Sequence, residues 1–104
     1  MTRLVRLSIT FNDQLNELLA QGEDRFGVEV ARQEKAAVYA TIKTFLARHP
    51  RAKPPHVTLR LRTYPISTTP FIVLYDFDDY ELRIHFIVHR HSDLSEIDPS
   101  KVEW

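Results

Sequence analysis

Apolar and polar residues alternate at the start of the chain. Val5, Leu7 and Ile9 stand against Leu4, Arg6 and Ser8, which predicts a strand over residues 3–9. Thr10 or Asn12 then suits a helix cap, with Asp13 in the first turn, where a carboxylate meets unpaired amide groups. Leu15, Leu18, Leu19 and Phe26 recur at helical spacing. Gly22 weakens this helix and Gly27 ends it. In a second helix, Val28, Ala31, Val38, Ile42, Phe45 and Leu46 form one stripe, with Arg32, Lys35 and Lys43 off it. His49-Pro50 stops it, because the residue before a proline avoids helical angles.

The period then changes. Val57, Leu59 and Leu61 alternate with Thr58, Arg60 and Arg62, which predicts a half-buried strand. Pro65 to Pro70 is a break, and the nearly unbroken apolar run Phe71 to Phe77 reads as a central strand. Asp78-Asp79 forms a turn. Leu82, Ile84, Phe86 and Val88 alternate with Arg83, His85, Ile87 and His89 in a last strand, before a polar, acidic tail from Ser92 to Trp104. Short connections make the last three strands an antiparallel meander. The expected fold is α+β and a single domain, 1–104. A two-helix hairpin packs on one face of a four-stranded, mainly antiparallel sheet, in the order β-α-α-β-β-β, and the other sheet face is left open.

Alternation also sorts side chains by face. Leu59, Leu61, Leu82, Ile84, Phe86 and Val88 are expected toward the helices. Arg60, Arg62, Tyr64, Arg83, His85, Ile87, His89 and His91 are expected on the open face. Arginine binds phosphate through two parallel N–H groups, and histidine titrates near neutrality and can shuttle a proton. Such a set suits RNA cleavage by attack of a 2′-hydroxyl on the adjacent phosphate. The plainer alternative is a solvated polar face. A shared metal is disfavoured, because His85 and His89 lie four residues apart on a strand, roughly 13 Å.

Composition narrows the chemistry. Among 104 residues there is no cysteine, which excludes thiolate metal sites, disulfides and a thiol nucleophile. Two glycines leave no loop to cradle phosphates, and no cofactor is expected. The longest apolar run is Phe71-Ile72-Val73-Leu74-Tyr75, too short for a membrane span, and charges interrupt the N-terminal segment as they would not in a signal peptide. A cytoplasmic location without a membrane partner is expected. Net charge is +0, but unevenly spread. No acid occurs between Glu34 and Asp76, an interval holding Lys35, Lys43, Arg48, Arg51, Lys53, Arg60 and Arg62. Such a surface attracts an acidic protein segment or a polyanion.

Several phrases, in order, resemble the RelE/ParE superfamily of type II toxins. They are Arg25-Phe26-Gly27-Val28 with Ala31, Leu46-Ala47-Arg48-His49-Pro50 and Arg62-Thr63-Tyr64-Pro65, then Pro70-Phe71-Ile72-Val73-Leu74-Tyr75 and Ile84-His85-Phe86-Ile87-Val88-His89-Arg90-His91-Ser92-Asp93-Leu94. The resemblance spans nearly the whole chain. It implies a growth-inhibiting toxin associated with plasmid stabilisation and neutralised by a cognate antitoxin. ParE-like members poison DNA gyrase. RelE-like members cut messenger RNA on the ribosome with basic residues and an acid/base group. The long second helix, the Phe-Gly junction and the neutral charge resemble the ParE branch. A RelE-like mode would assign Arg60 and Arg62 to the scissile phosphate and His89 or His91 to proton transfer. The last strand departs from that pattern. Arg90 takes a small residue's place, and His91 and Ser92 replace two arginines. A third expectation is a decayed, non-toxic module that only binds its antitoxin.

Overall fold

The computed structural model describes residues 2–56 and 59–104. Strand β1 (Leu4–Leu7) leads into helix α1 (Ile9–Phe26), followed by α2 (Val28–Ala40). Ser8 caps α1, rather than Thr10 or Asn12. Its hydroxyl accepts the Phe11 N–H at 2.8 Å and donates to the His85 carbonyl at 2.6 Å. One residue therefore closes the helix end and ties it to the sheet. Gly27, at φ 91°, separates the helices as expected, in a backbone region that L side chains rarely enter. From Thr41 to Leu46 the second helix widens to i→i+5 spacing, with the Ala47 N–H donating to the Ile42 carbonyl at 3.1 Å.

The sheet adds β2 (Arg62–Pro65), β3 (Phe71–Phe77) and β4 (Glu81–His89) in the spatial order β1-β4-β3-β2. The last three strands form the expected antiparallel meander, and β1 pairs parallel with β4. Fold class and element order agree with the sequence reading. Three further details, besides the Ser8 cap, do not. First, the strand expected around Leu59 and Leu61 begins only at Arg62. Val57 and Thr58 lie outside the described residues, and Arg60 adopts φ 58°, which breaks an extended run. Second, Val28 is exposed rather than part of the buried stripe. Third, the face opposite the helices is not open. Leu59, Leu61, Leu74 and Phe86 form a second apolar cluster there, joined by Leu94, Ile97 and Val102 of the tail.

The face assignments fail for one physical reason. Alternation gives parity, not sign, and both sides of this sheet carry apolar residues. Leu59 and Leu61 therefore face away from the helices. Arg62 and Tyr64 lie opposite Tyr75 and Val73, residues of the helix-side core, and share their face. In β4 a bulge adds a second switch. Leu74 pairs with Phe86 but Tyr75 with Ile84, so His85 is an extra residue. Beyond it Ile87 enters the helix-side core, while Phe86 and Val88 join the second cluster.

Candidate functional site

The acid-free interval seen in the sequence becomes a cleft at one end of the sheet. The segment after α2 carries Arg48, His49, Pro50 and Arg51. These residues, with Ala52 and with Arg3 just before β1, enclose about 370 Å³. The Tyr75 hydroxyl donates to the Pro50 carbonyl at 2.7 Å, and the Arg3 amide donates to Ala47 at 3.1 Å, so the loop is anchored to two strands. Burial pushes the Tyr75 hydroxyl up to about 12, although the nearby Arg62 charge pulls the other way.

Phe77 ends β3 beside this cleft. The guanidinium carbons of Arg51, Arg3 and Arg62 lie 5.0, 5.1 and 5.2 Å from its ring centre. Each contact is worth about 0.5–1 kcal/mol at an exposed site. Three cations held around one ring lie within roughly 10 Å of one another, comparable to the ~8 Å screening length of physiological salt, so their mutual repulsion is only partly screened. Arg3 donates to the Asp78 carbonyl at 2.6 Å and Arg62 to the Lys53 carbonyl at 2.5 Å. Neither these three nor Arg48 or Lys53 pairs with a carboxylate among the described residues. The cleft is thus a preformed set of cations lacking counter-charge, suited to an anionic partner.

The other face holds the opposite arrangement. Arg83 donates to Asp76 Oδ1 (2.9 Å), Asp78 Oδ2 (2.8 Å) and Glu81 Oε1 (3.0 Å). His85 Nε2 lies 2.8 Å from the same Asp76 oxygen, so that nitrogen carries the proton. Its Nδ1 is buried with no partner among the described residues. The His85 ring meets the edge of Trp104 at 4.9 Å, and Arg6 lies over that indole at 4.7 Å. Burial raises the Asp76 carboxyl, but hydrogen bonds from His85 and Arg83 outweigh it and hold the group below its ordinary value. Backbone N–H of Glu81, then Arg83, hold Asp78 down at about 2.

The four residues singled out in the sequence do not gather at one place. Arg60 sits in the loop before β2. Arg62 lies opposite Tyr75, whereas His89, two strands away from Arg62, lies opposite Phe71, four residues earlier in β3. That register separates Arg62 from His89 by roughly 16 Å. Both are on the helix side. His89 and His91 do come together, ring centres 5.2 Å apart, with the His91 amide donating to His89 Nδ1 at 3.2 Å. Sequence reasoning missed Phe77 and Arg3, which join the basic interval only in three dimensions, and the Asp76–Arg83–His85 network. Among the described residues, no three His, Asp or Glu side chains gather as a metal site, and no helix is long and apolar enough to cross a membrane.

No protein-family model and no curated protein matches the chain. Among solved structures, it is similar to a chain of the chromosomal ParDE TA system from P. aeruginosa, at a TM-score of 0.74 and 17% identity. The match covers 85% of this chain and 96% of that one, so the two share one fold over nearly all of the shorter chain.

Proposed function

We propose that this chain is the toxin of a type II toxin–antitoxin module, acting without RNA cleavage on a protein machine, as ParE-like toxins act on DNA gyrase. The observation that carries the reading is the shared fold with a chain of a ParDE TA system. The wide separation of Arg62 from His89 favours the non-nuclease mode, since phosphate binding and proton transfer must act within hydrogen-bond reach of one substrate. An acidic stretch of the antitoxin docks in the cleft of Arg3, Arg48 and Arg51, beside Arg62, and apolar side chains of that stretch meet Phe77.

The test is induced expression with gyrase supercoiling and protein synthesis followed separately. Loss of supercoiling before translation falls is the expected result. Early translation arrest with intact supercoiling rejects it in favour of ribosome-dependent messenger RNA cleavage. In that case His89→Ala and His91→Ala should each lower toxicity, because losing an acid/base group costs about 10²–10⁴ in rate. Harmless expression, with tight co-purification of an acidic partner, would leave an antitoxin-binding module.

A further inference from the structure

Midway along the helix hairpin stands a carboxyl group without a counter-charge among the described residues. Glu34 of α2 is only 8% exposed and is the one buried charged residue among those described. Its Oε1 lies 3.4 Å from where a side chain on Gly22 of α1 would begin, so that glycine leaves the space the carboxyl occupies. Glu34 makes no hydrogen bond or ion pair among the described residues. Burial pushes its carboxyl above the ordinary value.

The residue forms a wall shared by two adjoining hollows of about 470 and 330 Å³, which also share Phe26 and Pro70. Leu18 and Phe71 make the larger hollow apolar, and at its rim Phe26 remains 66% exposed. The Glu34 side chain is mostly covered but its carboxyl opens into the hollow, where a charge beside Leu18, Phe26 and Phe71 is only partly hydrated, and a cation brought by a ligand offsets that loss. A guanidinium fits best: it is weakly hydrated, forms two parallel hydrogen bonds to a carboxylate and stacks on an aromatic ring. The other titratable groups on these walls are Asp24, Arg25 and His89. Arg25 makes no ion pair with Glu34, and its own side chain starts from the exposed end of α1.

We propose that this hollow receives an arginine side chain of a partner polypeptide, with Glu34 as its carboxylate and Phe26 and Phe71 flanking the guanidinium. The inference is independent of the toxin reading, since it rests on the burial of Glu34 and on charge complementarity alone.

The test is an NMR titration of the full chain with N-acetyl-leucyl-arginine amide and with its neutral citrulline counterpart. The arginine peptide should shift the amides of Gly22, Phe26 and Phe71 and bind at least tenfold more tightly than the citrulline peptide. Glu34→Gln should erase that preference, while Arg25→Ala should keep it. In the unaltered chain, the side-chain carboxyl carbon of Glu34 should titrate at lower pH once the peptide is bound, a readout that needs no variant to fold. Equal binding of the two peptides, or a preference retained in Glu34→Gln, overturns the proposal. Concentration-dependent shifts of the same amides without peptide would give the hollow to a second copy of the chain, and overturn it as well.

Discussion

Arginine serves this protein in two opposite ways. Arg83, with a side chain 21% exposed, meets three carboxylates within 3.0 Å. Around Phe77, three arginines share one ring and, among the described residues, pair with no carboxylate. The first group is satisfied inside the molecule, so its removal is felt by the fold. The second is left with charge to spare, so its removal should be felt by a partner. Pairing thus separates structural from available charge where sequence composition counts both alike.

The comparison can be broken by substitution. Arg83→Ala should have the largest effect on stability. It leaves Asp76, Asp78 and Glu81 crowded without a cation, but their partial exposure screens the repulsion. A loss of about 1–2 kcal/mol in urea unfolding is expected. A loss below about 0.3 kcal/mol would place Arg83 with the spare cations.

Tyr75→Phe should come next, at about 1 kcal/mol, since it orphans the buried Pro50 carbonyl. It should also loosen the arginine loop, read as faster amide exchange at residues 48–52. Unchanged exchange there would mean that the cleft does not depend on this anchor.

Acid unfolding offers a third measurement. Asp76 and Asp78 both have folded values below their ordinary 3.8. Their stabilising effect is therefore complete above 3.8 and is lost as pH falls, for Asp78 down to about 2. The pH slope of stability over that window should shrink in Arg83→Ala. An identical slope would detach the two carboxylates from Arg83.

The smallest effect on the fold belongs to Arg51→Ala, within about 0.5 kcal/mol. The same variant should slow association with the proposed acidic partner, and the salt dependence of the on-rate should weaken. Unaltered kinetics would remove the cleft from the interface.

Much of the architecture was readable in one dimension. Helical spacing of Leu15, Leu18 and Val38 and the apolar run Phe71 to Phe77 found the hairpin and the central strand. Gly27 and His49-Pro50 marked where the helices end, through local backbone restrictions that do not depend on distant residues. The site was less legible. The acid-free interval was visible, but Arg3 and Phe77 lie on either side of Arg51 and far from it in sequence, and nothing local links them to it.

The face assignments show the limit most sharply. Period and composition determined which residues are apolar, which elements they form and that the last strands pair antiparallel, because each follows from short-range sterics and short connections. Only the tertiary structure decided which side of the sheet each residue meets. The bulge at His85 reverses the parity of β4, and the returning tail gives the second face its own apolar cover. Phe86 and Ile87 thereby lie back to back in different cores, a distinction set by packing partners far away in sequence.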